Sequence, residues 1–117
     1  MPEATRKYVT IPERKAREAA RREAAARAVI ERLRAFVHET GNRGRFIVFG
    51  SVASGAIRFT SDFDVLVDFP PDLESAAWKA VEAACREWNI TEDIHSTMTT
   101  KPVFVELIIT RPVEIIE

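Results

Sequence analysis

One cysteine, Cys85, occurs in 117 residues, so the chain forms no internal disulfide, and with no Cys-x-x-Cys pair a zinc site is not indicated. No run of about 18 apolar residues is present, which excludes a membrane-spanning helix. The opening MPEATRKYVTIPERK lacks the apolar stretch of a signal peptide, and a cytoplasmic place is the resulting expectation. Positive charge is not in excess either: 17 Lys and Arg face 18 Asp and Glu, a net charge of −1 that argues against a general nucleic-acid binder but leaves room for a local basic patch. What remains is an ordinary globular mix, 46% hydrophobic and 30% charged, long enough for one domain with a single core.

The first eleven residues show no periodicity and read as a flexible N-terminus, 1–11. Thr10 is placed to cap a helix whose first turn holds Pro12 and Glu13, an acid near the positive helix end. The stretch that follows is nearly free of breakers and rich in Ala, Arg and Glu, which predicts one helix over 12–40. Such a helix, roughly 42 Å long, exceeds the width of a small domain, so its two halves cannot both dock on one core. The second half carries Val29, Ile30, Leu33, Phe36 and Val37 at helical spacing and should pack on a sheet. The first half, ERKAREAARREAAARA, offers alanines and charges. It reads either as a solvated helix held by Glu–Arg pairs three or four apart, or as a docking arm for a partner.

Gly41-Asn42-Arg43-Gly44 stops that helix, and Arg45 to Phe49 is apolar enough to be a central strand. Val52 to Ala56 follows as about a turn of helix, with Gly55 letting the chain swing back into a second strand over 62–69. Pro70-Pro71 ends that strand. Asp72 is expected to cap a helix to about Trp88 with Leu73, Trp78, Val81, Cys85 and Trp88 as its apolar stripe, making Cys85 and both tryptophans core residues. A third strand over 90–96, a short helix over 101–109 capped by Thr100, and an edge strand or tail over 113–116 complete the chain. The expected class is α+β: a small mixed sheet of three to four strands flanked by helices, with 45–117 as its core.

Two pieces of the central stretch FIVFGSVASGAIRFTSDFDVLVDF carry chemistry. Asp62 and Asp64 are two apart, and on a strand that puts both on one side of the sheet. Carboxylates so close repel each other unless something positive lies between them, and hard cations such as Mg²⁺ take carboxylates together with substrate phosphates. The Gly50-Ser51 turn ends the preceding strand, and a helix starting at Ser51 would offer N–H groups and a hydroxyl to an anion. Together they describe a place for a metal–triphosphate complex.

Phe49-Gly50-Ser51, ten residues, then Asp62-Phe63-Asp64-Val65 resembles the nucleotidyltransferase superfamily of DNA polymerase beta and kanamycin nucleotidyltransferase. Gly55, Ser61-Asp62 and the chain length look most like its minimal prokaryotic members. The resemblance covers about Arg45 onward and implies a polymerase beta palm-like fold. It also implies transfer of a nucleoside monophosphate, AMP foremost, from ATP or another triphosphate to an acceptor hydroxyl, with two Mg²⁺ ions held by Asp62, Asp64 and a third acid. Gly50, Ser51, Ser61 and Arg58 would bind the nucleotide. Asp93 is the expected third acid, mid-strand and followed by an apolar residue; Glu92 points to the opposite face, and Glu106 would serve only if VFVELII were a strand. Asp68 lies too far along, His95 shares the Asp93 face as an ordinary partly exposed histidine, and His38 favours its helix dipole. Many minimal members carry Arg where this chain has Ser54, which leaves Arg58 to reach the triphosphate.

Larger relatives carry further domains for their acceptor, so a partner is expected to complete the site. Minimal members pair with HEPN toxins as antitoxins, some by adding AMP to a tyrosine, and the exposed helix half would be the docking element. A module acting by contact alone and a homodimer modifying a small molecule such as an antibiotic are the alternatives.

Overall fold

Ile11–Glu39 forms one unbroken helix, α1, of 29 residues. Its proline, Pro12, lies in the first turn, where the missing N–H leaves no bond unmade. The Thr10 hydroxyl accepts the Glu13 N–H at 3.2 Å, which satisfies one of the helix's unpaired donors. A computed structural model describes residues 10–117; the rest of the expected flexible segment lies outside the described residues. The two halves of α1 differ as the composition requires. Burial begins at Ala25 and continues through Ala26, Val29, Ile30, Leu33 and Val37, while the first half stays at the surface. There Glu18 pairs with Arg21 at 2.6 Å and with Arg22 at 3.1 Å, the three- and four-residue spacings of a solvated helix.

Among the described residues four strands make the sheet: β1 Arg45–Phe49, β2 Phe63–Asp68, β3 Glu92–Ser96 and β4 Glu114–Ile116, in the order β3-β2-β1-β4. Strand β1 pairs antiparallel with both β2 and β4, so it is central as its apolar run predicts. Strands β2 and β3 are parallel, and a parallel pair needs a crossover, here through helix α3, Pro71–Glu87. Helix α2, Gly50–Ser54, follows β1 directly, and α4, Pro102–Ile109, leads towards β4. Helices α1 and α3 cover one face, where Val29, Leu33 and Val37 meet Phe46, Val48, Phe63, Val65 and Val67. Phe36, Phe46 and Phe69 close that core at one end with ring centroids 4.9 to 5.9 Å apart. The opposite face carries Asp64 and Asp68 of β2 and Asp93 and His95 of β3.

Three local expectations are corrected. Pro70 is the residue that caps α3, with Pro71 fixing the first turn; Asp72 instead forms a two-pronged pair with Arg43 at 2.7 and 2.9 Å. Trp88 is not core but 44% exposed, because α3 ends at Glu87 and Asn89, at φ 52°, turns the chain away. Trp78 is half-buried, and Ala77, Val81, Ala84 and Cys85 form the buried stripe. Thr100 does not cap α4; Lys101 holds that place without a side-chain bond.

Candidate active site

Directly paired residues of neighbouring strands point to the same face, and this register builds the site. Asp64 on β2 faces Phe49 of β1 on one side and Asp93 of β3 on the other. The next row is Ile47, Leu66 and His95, of which Ile47 and Leu66 are buried. In the third row Arg45 binds Asp68 at 2.8 Å, and Thr97 donates to Asp68 at 3.1 Å. Asp68 is thus neutralised within the structure, which leaves half-buried Asp64 and exposed Asp93 as the carboxylates of this face among the described residues.

The turn after β1 lies over this row. Gly50 has φ 70°, a region that side chains disfavour, and a β-carbon there would overlap the Asp64 carboxylate. Gly55 closes α2 in the left-handed region, φ 75°, with its N–H on the Ser51 carbonyl. Burial raises the Asp64 carboxyl first, and the neighbouring Asp93 and Asp62 raise it further, to about 6 against an ordinary 3.8; His95 offsets part of this. His95 Nε2 stands 3.4 Å from Asp93 Oδ1, and its ring lies 6.0 Å from that of Phe49.

A cleft of about 610 Å³ opens over these residues. Phe49, Gly50, Asp64, Asp93 and His95 form its sheet side. Thr100, Phe104, Leu107, Ile108 and Arg111, from α4 and its ends, form the other. The structure therefore brings Gly50, Asp64 and Asp93 into one cleft.

The remaining sequence candidates stand apart from its walls. Asp62 precedes β2 by one residue and is exposed, near enough to act on Asp64 by its charge. Ser51 is half-buried in α2. The Ser61 hydroxyl accepts the Arg58 backbone N–H at 2.7 Å, so it closes the loop before β2, and the Arg58 side chain is exposed. Glu92 pairs with core-facing Phe63, and its charge raises the Cys85 thiol on α3, so it faces away from the cleft. Glu106 is exposed on helix α4, which removes the condition under which it would serve. Among the described residues, no three His, Cys, Asp or Glu side chains gather into a group that could hold a metal ion on their own.

Arg111 and the apolar wall of α4 are cleft residues that the sequence reading missed. Their chain separation from Asp64 hides them. The one signal was PVFVELII itself, a helix apolar on nearly every side and therefore in want of a covering surface.

Among the described residues, no helix is long and apolar enough to cross a membrane. The family model described as a nucleotidyltransferase domain matches residues 30–114, from the docked half of α1 to the start of β4. No curated protein matches the chain.

Proposed function

The chain belongs to the nucleotidyltransferase domain family, and we propose that it transfers AMP, or another nucleoside monophosphate, from a Mg²⁺-bound triphosphate to an acceptor hydroxyl. The observation that carries this reading is the in-register pair Asp64–Asp93 beneath the Gly50 turn. The donor set fits a hard divalent cation. Asp64 is held towards its neutral form by burial and two neighbouring carboxylates, a cost that a cation among them would relieve. A closed cage is not required, since Mg²⁺ is commonly held by one or two carboxylates and by substrate phosphates.

Asp62, Asp64 and Asp93 are the proposed ligands. The bound metal would neutralise phosphate charge and acidify the acceptor hydroxyl. The acceptor oxygen attacks the α-phosphorus, the bond to the bridging oxygen on the β side breaks, and pyrophosphate leaves. Asp93 takes the hydroxyl proton, and His95 at 3.4 Å helps that carboxylate stay oriented. Gly50 leaves room for the Asp64 carboxylate beneath the turn, and Arg111 on the cleft wall offsets phosphate charge; Ser51, Ser61 and Arg58, which stand off the cleft walls, are the proposed further phosphate contacts. The apolar side of the cleft, Phe104 and Leu107, receives the base.

A protein acceptor is the finer part of the proposal, with a HEPN-type toxin as partner and an antitoxin role in the cytoplasm. It is favoured by α4, where Val103, Phe104, Leu107 and Ile109 are each about half exposed. A contact inhibitor without catalysis is the second reading. Its support is that Ser54 only donates back to the Ser51 carbonyl, at 3.3 Å, and brings no cation to the turn.

The deciding experiment incubates wild type and Asp64→Ala with α-labelled ATP, Mg²⁺ and lysate of the source cell. Label on a protein with wild type alone is the expected result. Equal labelling by both, or no binding of Mg²⁺–ATP by wild type, would overturn the catalytic reading in favour of contact.

A further inference from the structure

We infer that Glu18, Arg21 and Arg22, on the exposed half of α1, form a positioning device that holds the loops leading into β2 and β3 and so sets Asp64 beside Asp93. This rests on the proposed nucleotidyl transfer for its purpose, though not for its geometry. Arg22 Nη1 donates to the Ser61 carbonyl at 2.7 Å, and Ser61 immediately precedes Asp62. Arg21 Nη1 donates to the Asn89 carbonyl at 3.1 Å, three residues before β3 begins. Glu18 fixes both guanidinium groups, through the Arg21 Nε at 3.0 Å and the Arg22 Nε at 3.1 Å. Arg21, and Arg22 beside it, keep the Glu18 carboxyl down at about 2, so this hub stays ionised at any working pH.

The start of β2 is also tied to the loop before β3, where Phe63 N–H donates to the Thr91 carbonyl at 2.8 Å. One rigid helix therefore holds both strands that carry the cleft carboxylates, each by a charge-assisted bond to a backbone carbonyl. The Glu18–Arg21 pair is exposed and contributes little to stability by itself, whereas half-buried Arg22 is fixed on the Ser61 carbonyl, and this half of α1 buries no apolar stripe. Geometry is the better explanation for the cluster. Outer partners of metal-binding carboxylates act by orienting them, and here the orientation is imposed through the backbone.

The test compares Arg22→Ala and the double variant Arg21→Ala/Arg22→Ala with Arg17→Ala, a control on the same exposed half of the helix. Amide exchange is followed in the metal-free proteins, and Mg²⁺ binding in the presence of a non-hydrolysable ATP analogue. Exchange over 58–63 and 89–93 should accelerate about tenfold or more in the double variant, with β1 and α3 unchanged. Mg²⁺ affinity should fall by about ten- to a hundredfold, and Arg22→Lys, which retains a charged donor, should recover part of both losses. Exchange and Mg²⁺ affinity equal to those of Arg17→Ala would overturn the inference. Asp64→Asn separates the two ideas: it should lose Mg²⁺ binding and transfer but keep loop protection. A wild type that neither binds Mg²⁺ nor transfers nucleotide would overturn the functional reading, while the exchange comparison would still decide the positioning role.

Discussion

Gly50 and Asp64 occupy adjoining space so closely that a β-carbon on the first would overlap the carboxylate of the second, with the carboxyl carbon 3.1 Å away. The glycine of the turn and the aspartate of the next strand are thus one unit. Gly50 is needed for its backbone angle, and independently for the room that Asp64 takes.

Gly50→Ala should therefore damage the site twice. The left-handed angle and the overlap together should cost about 2 kcal/mol or more, and Asp64 must move to make room. Urea unfolding reads the first effect, and loss of Mg²⁺–ATP binding reads the second.

Asp64 makes the metal-free protein less stable at neutral pH than at mildly acidic pH. Its folded carboxyl titrates near 6, above the ordinary 3.8, so between those values the folded state binds more protons than the unfolded state. Stability then falls as pH rises from about 4 to about 6, and the penalty stays in full above that. In chelator at pH 8, Asp64→Asn should be more stable by about 1 kcal/mol after allowance for solvent screening, and the gap should close by pH 4. Thermal unfolding across that range checks it.

Of the later acids, Asp93 lies on strand β3 and Glu106 on helix α4. Asp93→Ala should lower nucleotide transfer by about a thousandfold, whereas Glu106→Ala, on an exposed helix, should change it less than about twofold. Single-turnover rates at saturating Mg²⁺ would show the difference.

Cys85 should be inert in the folded protein. Burial, and then the Glu92 carboxylate, push its thiol up to about 12, so at pH 8 the thiolate is about one part in ten thousand. Alkylation followed by mass should label the protein only after urea unfolding.

Leu33 and Ala24 measure the two sides of α1. Leu33 is fully buried against the sheet, and Leu33→Ala should cost about 3 kcal/mol. Ala24→Gln, on the exposed side, should stay within about 0.5 kcal/mol of wild type in the same urea experiment.

The sequence by itself determined the elements and one strong pairing of motifs. Helix α1 was legible because alanine, arginine and glutamate leave no break between Pro12 and Thr40, and its docked half because the apolar residues recur at helical spacing. The Gly50 turn and the strand that carries Asp64 were legible because both are local patterns, whereas Asp62, expected as the first residue of that strand, precedes it and stands off the cleft walls. The face of Glu92 and of Asp93 followed from the strand period of two. Trp88 misled, because apolar character alone does not tell where a helix stops: α3 ends at Glu87, and Trp88 at its cap is 44% exposed.

Only the tertiary structure decided what stands beside Asp64. Asp93 reaches it through the parallel register of β2 and β3, which a crossover helix brings about and no local pattern states. Arg45 removes Asp68 from the site across a strand pair, and Arg111 and Phe104 reach the cleft from the far end of the chain. Arg21 and Arg22 are alike in sequence to every other charge on their helix, yet they hold the two loops behind the carboxylates. Local interactions fix backbone conformation, and a sequence displays those directly. Which side chains share a site depends on long-range packing, which only the folded chain reveals.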